Sequence, residues 1–208
     1  HFAIDPTKVR VVGNGVSDAF TPDGPTAHHS DHAHHRHGRY LLYVGNHKPH
    51  KNVPILVNAF AKAKLDREVG LVMTGRPDEA MFALLSEAGI ADRVRFVEKL
   101  TDEELAGWYR GALALCCPSH YEGFGLPVLE AMACGTPVVC SDAASLPEVA
   151  DDAALYADPD DPNAWADALH TITQDESQRS DLSAKGIQCA AQFTWDKVIE
   201  TIQQGLVA

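Results

Sequence analysis

The sequence predicts an α/β fold, a Rossmann-like, doubly wound parallel sheet followed by C-terminal helices. First, short and almost continuously apolar segments recur along the chain, as parallel strands do when helices cover both faces of their sheet. Second, these segments alternate with amphipathic segments of helical periodicity, which is the order of elements in doubly wound sheets. Third, the pattern becomes wholly helical after Asp158.

Six apolar segments are predicted to be the strands. They are YLLYVG, VGLVMTG, RVRFVEKL, ALALCCPS, TPVVCSD and AALYADP. Their predicted ends are Gly45, Gly75, Glu98, Ser119, Asp142 and Asp158. Because ligands of open α/β sheets bind beyond the carboxyl ends of the strands, the residues just after these positions are the first candidates for a functional site.

Helical patterns lie between these strands and after the last one. The connecting segments are NVPILVNAFAKAKLD, DEAMFALLSEAG, TDEELAGWYRGA and LPVLEAMACG. The C-terminal segments are DPNAWADALHTITQ, ESQRSDLSAKGIQCAAQ and TWDKVIETIQQGL. Thr101 and Glu104 have the spacing of a capping box, and Gly89 and Gly135 stand where helices end.

The first 38 residues stand apart from this pattern. The segment KVRVVGNGVSDAF is strand-like, and we interpret it as a connecting strand from an N-terminal domain that this sequence lacks. A first residue His1, rather than Met, also suggests a piece of a longer protein. We therefore expect residues 1–38 to be a connecting segment with a histidine-rich loop, and residues 39–208 to form the main domain.

The histidine-rich loop holds six of the eleven histidines, between His28 and His37. His28, His32 and His35, together with Asp31, could bind Zn²⁺ or Ni²⁺. The loop is surrounded by Pro, Gly and Ala with no rigid scaffold, so we interpret it as a flexible insertion that binds metal only opportunistically. No metal is expected in the functional site.

Composition excludes several classes of function. A formal net charge of −12 argues against nucleic acid or an anionic membrane surface as a general partner. No apolar run approaches the roughly 20 residues of a membrane span, and the start of the chain lacks a signal-peptide core. The five cysteines form no CxxC pair and are interpreted as reduced, mostly buried thiols rather than catalytic groups. We expect a cytoplasmic protein.

Two glutamates bracket a turn after the fourth predicted strand. Glu122 lies in the loop, and Glu130, eight residues later, lies about one turn into the following helix. The two carboxylates could accept hydrogen bonds from hydroxyl groups at the two ends of a sugar nucleotide, with Glu122 facing the sugar and Glu130 the ribose. A glutamate near a helix N-terminus is also favourable by about 0.3–1 kcal/mol through the helix dipole alone, so the pair carries the prediction.

The turn between the glutamates suits a phosphate. Gly123 and Gly125 permit a sharp turn and a close approach of the backbone to a ligand, and Pro127 fits the first turn of a helix. The N–H groups of Phe124, Gly125 and Leu126 would then point into the cleft, where a diphosphate could sit.

The loop after the first predicted strand is the second candidate. The strand ends at Gly45, and Lys51 stands at the entrance of a helix that starts near Asn52. A cation there could neutralise a diphosphate leaving group. The alternative is an ordinary solvated lysine.

YEGFGLPVLEAMACGTPVVCSD resembles the signature of the retaining glycosyltransferase family 4, the glycosyl transferases group 1, whose members adopt the two-domain GT-B fold. Its hallmark of a Glu, seven residues and a second Glu is matched by Glu122 and Glu130. VGNHKPHKNVPILVNAF is similar to the family's phosphate loop, TDEELAGWYRGALALCCPS to its base-side segment and FTWDKVIETI to its closing helix. The resemblance runs from about Val11 to the C-terminus and covers the donor-binding half of that fold.

The resemblance implies roles for individual residues. Lys51 would bind the diphosphate and stabilise it as it leaves, Glu122 would contact the donor sugar, and Glu130 would bind the ribose. The backbone from Glu98 to Leu100 would meet the base. The implied donor site is Gly45, His50, Lys51, Glu98, Leu100, Glu122, Gly123, Phe124, Gly125, Leu126 and Glu130, with Lys51 and Glu122 catalytic.

One departure from the family pattern concerns the phosphate loop. Many members have an arginine just before the lysine, where this chain offers Asn46, Lys48 and His50. Either His50 or Lys48 substitutes for the arginine, or Arg76 supplies the second charge, or the phosphate is held more weakly.

The resemblance implies transfer of a sugar from a nucleotide donor to an acceptor hydroxyl with retention and without a metal or other cofactor. GDP-mannose is favoured over a UDP sugar because GNHKPHKN resembles the loop of bacterial mannosyltransferases. A saccharide or lipid-linked acceptor would bind through the missing N-terminal domain, which could also hold the protein at the inner membrane. The isolated chain is expected to bind donor but to turn over poorly.

Two alternatives remain open at this point. The chain could be a non-catalytic nucleotide-sugar-binding subunit whose catalytic partner is a separate polypeptide. It could also be a GT-B sugar-nucleotide 2-epimerase, which would need acid and base residues across the same cleft.

Overall fold

Six parallel strands form one sheet in the computed structural model of the chain, which describes residues 9–27 and 38–206. Strands β1 to β6 are Arg39–Tyr43, Val69–Thr74, Val94–Val97, Ala114–Cys117, Val138–Ser141 and Ala154–Ala157. Their order is β3-β2-β1-β4-β5-β6, and every neighbouring pair is parallel. The predicted doubly wound parallel sheet is therefore confirmed, and its winding direction reverses between β1 and β4.

Helices cover both faces of the sheet. Helices α1 to α8 are Val53–Lys62, Glu79–Glu87, Asp102–Gly111, Leu126–Ala133, Leu146–Ala150, Pro162–Gln174, Glu176–Ala190 and Trp195–Leu206. Helices α1, α2 and α6 pack on one face, and α3, α4 and α5 pack on the other. Helix α7 packs against α4 and α6. No helix in the described ranges is both long and apolar enough to cross a bilayer.

The four central strands β1, β2, β4 and β5 are almost entirely apolar because both of their faces are buried, whereas the edge strands β3 and β6 are only partly buried. In β1, Leu41 and Tyr43 point to the α1 side, whereas Tyr40 and Leu42 point to the α3 side, and all four are at most 1% exposed. Burying a side chain of this size is worth about 1.5–3 kcal/mol. The absence of polar alternation in the sequence thus follows from the two layers of helices.

The predicted helix boundaries are formed by the expected caps. The Thr101 hydroxyl accepts from the Glu104 N–H at 3.3 Å, and the Glu104 carboxylate accepts from the Thr101 N–H at 2.8 Å, which completes the capping box. Gly89 and Gly135 have φ of 67° and 72° just beyond α2 and α4. These left-handed conformations explain glycine at both helix ends.

The prediction of an N-terminal strand is wrong for residues 9–27, which contain no strand. This segment lies away from the sheet, where the Val16 N–H donates to the Phe193 carbonyl at 3.0 Å and the Ala27 N–H donates to the Gly107 carbonyl at 2.9 Å. Val11 is 88% exposed. The valines resemble a strand, but within residues 9–27 and 38–206 they pair with no strand of the sheet.

One helix was not predicted, and one predicted loop lies outside the described residues. The five-residue helix α5 was not predicted, because its apolar pattern is too short to show helical periodicity. The histidine-rich loop, residues 28–37, lies outside the described residues. Its interpretation as an insertion stays a prediction.

Candidate active site

The candidate site lies at the carboxyl edge of the sheet, where the winding direction reverses. β1 and β4 are neighbours in parallel register, with Leu42 level with Leu115, so the loops that follow them emerge side by side. The His120 N–H after β4 donates to the His50 carbonyl after β1 at 2.9 Å. In open α/β sheets the reversal point forms the ligand crevice.

These two loops bring Lys51 and Glu122 together as an ion pair. Lys51 Nζ lies 2.8 Å from Oε1 and 2.9 Å from Oε2 of Glu122. The side chains are only 14% and 10% exposed, so Lys51 is not the solvated lysine of the alternative interpretation. The ammonium group has a third N–H left for a ligand. The sequence predicted both residues in the site but did not predict that they contact each other.

Ser119 and Cys117 complete the surroundings of the Glu122 carboxylate. The Ser119 hydroxyl donates to Oε1 at 2.6 Å, and the Cys117 thiol lies 3.8 Å from the same oxygen. Burial, followed by the charge of Glu122, raises the pKa of Cys117 to about 12, so this thiol stays protonated at neutral pH. Neither residue was predicted as a site residue, although Ser119 was the predicted end of β4.

The position of Lys51 follows from a short turn between β1 and α1. Pro49–Lys51 form a single 3-10 turn, closed by the Asn52 N–H, which donates to the Pro49 carbonyl at 3.1 Å. Asn52 has φ of 52°, a left-handed conformation that asparagine tolerates better than most residues. Its side-chain amide donates to the Pro159 carbonyl at 2.7 Å, which fixes the turn beyond the end of β6.

The glycine turn before α4 depends on Gly125 rather than on both glycines. Gly125 has φ of 101°, and a Cβ on it would lie 2.9 Å from Leu146 Cδ2. Gly123 has open space around its Cα and no left-handed φ. The left-handed turn that requires glycine is therefore present at Gly125, whereas the close approach to a ligand expected at Gly123 stays a prediction.

The N–H groups of this turn are available to a ligand. Those of Phe124, Gly125 and Leu126 make no hydrogen bond with any residue in the described ranges. The Ser145 hydroxyl contacts the Glu122 carbonyl at 3.0 Å and the Phe124 carbonyl at 2.9 Å, and thereby braces the turn from the loop after β5. Three free donors at a helix N-terminus can bind an anion.

Glu130 has a neutral partner, in contrast to Glu122. The hydroxyl of Tyr109, a fully buried residue of α3, donates to Glu130 Oε2 at 2.8 Å. Burial raises the pKa of Glu130, and the hydrogen bond from Tyr109 partly offsets this rise. Tyr109 was not predicted, because nothing in its local sequence distinguishes it from other core aromatic residues.

Glu98 and Leu100 line a separate cleft of about 310 Å³ beyond the ends of β1, β2 and β3. Its other lining residues are Val44, Thr74, Gly75, Val97, Lys99 and Leu105. Gly45 stands next to it, and its N–H donates to the Thr74 hydroxyl at 2.9 Å. The residues predicted to meet the base thus form a cavity wall, whereas Lys51 and Glu122 lie outside that lining.

The cations proposed to replace the family arginine are all exposed. The side chains of Lys48, His50 and Arg76 form no ion pair within residues 9–27 and 38–206. Arg76 directly follows Gly75, which lines the cleft. Each of the three is available to an anion, and the alternatives stated above stay open.

Four of the five cysteines are buried, and Cys189 is partly exposed. Burial raises the pKa of Cys116 and Cys140 above the ordinary range and that of Cys134 to about 12. The interpretation as buried thiols is confirmed for Cys116, Cys117, Cys134 and Cys140.

Comparison with known proteins gives a family match over most of the chain. Residues 26–188 match the family described as glycosyl transferases group 1. O-antigen chain mannosyltransferase B of Escherichia coli is 38% identical over 162 residues, which are 76% of this chain and 42% of that protein.

Solved structures with a similar fold include two proteins that act on or bind sugars. Sucrose-phosphate synthase from Thermosynechococcus elongatus superposes with a TM-score of 0.71 at 30% identity, over 94% of this chain and 49% of that one. Anabaena HepE, solved with UDP and glucose, superposes with a TM-score of 0.74 at 20% identity, over 83% of this chain and 48% of that one. The second likeness shows the fold alone. The chain spans about half the length of these proteins.

Proposed function

The chain belongs to the glycosyl transferases group 1 family and has the architecture of one half of a GT-B fold, and from this premise we propose that it binds a nucleotide-sugar donor for retaining sugar transfer. The proposal depends mainly on the Lys51–Glu122 ion pair, which lies in the loops after β1 and β4, where the winding direction of the sheet reverses. It supplies a cation and a carboxylate where this fold class binds its ligands.

The diphosphate of the donor would be held by Lys51 and the N–H groups of the turn before α4. Lys51 keeps one N–H for a phosphate oxygen while it stays paired with Glu122. The three free N–H groups from Phe124 to Leu126 add donors without adding mobile side chains. The net charge of the protein is strongly negative, so these local donors must compensate for it.

The two glutamates would contact hydroxyl groups of the donor. Glu122 would accept from the sugar while Lys51 balances its charge, and Glu130 would accept from the ribose with the oxygen that Tyr109 does not engage. The cleft lined by Glu98 and Leu100 has room for the base, since its volume of about 310 Å³ is at the lower end of ligand pockets.

In the proposed reaction, the bond between the anomeric carbon and the diphosphate oxygen breaks while the acceptor oxygen attacks from the same face. The bonding electron pair leaves with the diphosphate, and the acceptor proton passes to a diphosphate oxygen. Negative charge grows on the leaving group, where Lys51 and the N–H groups would stabilise it. Loss of one such donor typically costs a factor of about 10²–10³ in rate.

The donor we favour is GDP-mannose. This proposal rests on the resemblance of the loop after β1 and on the name of the E. coli relative, a mannosyltransferase. Anabaena HepE, which shares only the fold, was solved with UDP. Both base series therefore belong in any test.

Calorimetric titration with GDP, GDP-mannose, UDP and UDP-glucose tests the proposed donor site. We expect saturable binding to one base series, weakened about tenfold or more by Glu130→Ala. The matched control is Glu176→Ala, which removes an exposed glutamate from the first turn of α7 at the opposite edge of the sheet. Absence of binding to all four compounds would contradict the proposal.

We propose further that the acceptor, a saccharide or a lipid-linked saccharide, binds to the second domain of the GT-B fold. The isolated chain should then bind donor but transfer sugar slowly or not at all. Efficient transfer by the 208-residue chain alone would overturn this part of the proposal and leave the donor site intact.

A further inference from the structure

Tyr109 is held rigidly in the core between α3 and α4. Its side chain has no exposed surface, and its ring meets the ring of Phe20 edge to face at 5.8 Å. Its carbonyl accepts from the Thr136 hydroxyl at 2.7 Å. Both the ring and the backbone of Tyr109 are therefore fixed, and its hydroxyl has a defined position.

That hydroxyl points at one oxygen of Glu130 and leaves the other one unengaged. The distance to Oε2 is 2.8 Å, and Oε1 makes no hydrogen bond with any residue in the described parts of the chain. Glu130 itself is only partly buried. The carboxylate thus has one oxygen fixed by the protein and one that can accept from outside.

A neutral donor has a different effect on a carboxylate than a cation has. Lys51 balances the charge of Glu122, whereas Tyr109 orients Glu130 and leaves its negative charge in place. Burial raises the pKa of Tyr109 well above its ordinary value, so the phenol stays protonated and donates throughout the physiological pH range. The charge on Glu130 remains available for hydrogen bonds from a ligand.

We propose that Tyr109 is a positioning residue that fixes the Glu130 carboxylate so that its free oxygen accepts from the ribose hydroxyls of the donor nucleotide. The inference rests on the proposed function, which places the ribose at Glu130. It assigns a role to a residue that touches no ligand itself, and it predicts that recognition of the ribose hydroxyls depends on the Tyr109 hydroxyl.

The test compares each nucleotide with its analogue that lacks both ribose hydroxyls. The probes are GDP, UDP and their 2′,3′-dideoxy counterparts, and the readout is the ratio of the two dissociation constants for each variant. Glu130→Ala defines the ratio without the carboxylate. Tyr109→Phe removes only the hydroxyl. Tyr40→Phe is the matched control, because its buried hydroxyl donates to the Trp108 carbonyl at 2.7 Å and not to Glu130.

We expect the wild-type ratio to be about tenfold or more, to fall to near one in Glu130→Ala and to fall at least threefold in Tyr109→Phe. Tyr40→Phe should keep the wild-type ratio. A purely structural role of Tyr109 would weaken both members of a nucleotide pair equally and leave the ratio unchanged, which would overturn the proposal. A wild-type ratio near one would also overturn it.

The outcomes separate this inference from the proposed function. If no nucleotide binds, both fail together. If nucleotides bind and Glu130→Ala abolishes discrimination while Tyr109→Phe preserves it, only the role of Tyr109 is refuted. Should Tyr109→Phe not fold, the Tyr109 hydroxyl proton in NMR spectra of the wild type gives a second readout. It should shift with the ribonucleotide more than with the dideoxy analogue, and equal shifts would refute the role.

Discussion

Lys51 and Glu122, separated by 71 positions in the sequence, form a two-pronged ion pair with N–O distances of 2.8 and 2.9 Å. Each side chain is roughly nine-tenths buried. The pair therefore joins the loops after β1 and β4 as well as supplying charge to the candidate site. A residue with both roles should affect folding stability and ligand binding together.

Replacing Lys51 by Met should destabilise the fold by about 3 kcal/mol, because the charge of Glu122 would remain buried without its cation. Urea unfolding of the variant measures this. The double variant Lys51→Met/Glu122→Gln should recover much of the loss. The control is Asp66→Asn in the exposed Arg39–Asp66 pair at 3.5 Å, where we expect less than about 1 kcal/mol. Equal losses of unfolding free energy in Lys51→Met and Asp66→Asn would show that the buried pair contributes no more to stability than an exposed one.

Ser119→Ala should weaken donor binding and stability, since Glu122 Oε1 would lose a hydrogen bond of 2.6 Å. A hydrogen bond to a charged group is worth about 1.5–3 kcal/mol. Ser183→Ala is the matched control, because its hydroxyl donates to the Gly135 carbonyl at the same distance of 2.6 Å, away from the site. Both variants should unfold more easily, but only Ser119→Ala should bind nucleotide sugar less tightly. A loss of binding in both would point to a general effect of stability.

Gly125→Ala should cost roughly 1–2 kcal/mol of stability, because alanine is strained at a φ of 101°. It should also weaken nucleotide binding by displacing the free N–H groups of the turn. Gly123→Ala, two residues away with open space around it, should change stability by less than about 0.5 kcal/mol. Thermal unfolding and nucleotide titration of the two variants measure the difference. Gly123→Ala should be the more stable variant and should bind nucleotide more tightly, and the reverse order would contradict the prediction.

The fold was predictable because its signals are local. The predicted doubly wound sheet is confirmed by the observed strand order. Its central strands are buried on both faces and therefore carry nearly continuous apolar runs that the sequence shows directly. The capping box of Thr101 and Glu104 needs only adjacent residues, and it is present as predicted. The valines of residues 9–12, in contrast, led to a wrong prediction of a strand. Strand formation there required a neighbouring sheet edge, which local sequence cannot reveal.

The candidate site was predictable only in part. The family assignment is confirmed. Glu122 follows β4 and Glu130 lies in the next helix, at the carboxyl edge of the sheet where their spacing predicted them. The partners of the two glutamates were not predictable. Lys51 and Tyr109 reach them from other elements, and which donor meets which carboxylate depends on tertiary packing. Sequence motifs thus identified candidate residues at one edge of the sheet, but not which donors meet the two carboxylates.

The pH dependence of the free energy of unfolding should report on the burial of the Glu130 carboxyl group. Burial raises the pKa of this carboxyl above its unfolded value, and Asp102 nearby adds to the rise while Tyr109 opposes it. A raised carboxyl pKa favours the folded state when the group is protonated, and this contribution is lost as pH rises through the folded pKa. Ligand binding has the opposite dependence, since the proposed ribose contact needs the ionised form.

Glu130→Gln mimics the protonated group and removes this titration. Relative to the wild type, the variant should therefore be more stable at pH 7 than at pH 4, that is, its free energy of unfolding should be larger by comparison at pH 7, as measured by urea unfolding at both values. The groups facing Glu130, namely Tyr109, Asp102 and Cys134, are unchanged in the variant, so their contributions to stability largely cancel in the difference. Nucleotide binding by the wild type should weaken as pH falls through the same range. A difference in stability that is independent of pH would mean that Glu130 is not desolvated in the folded protein.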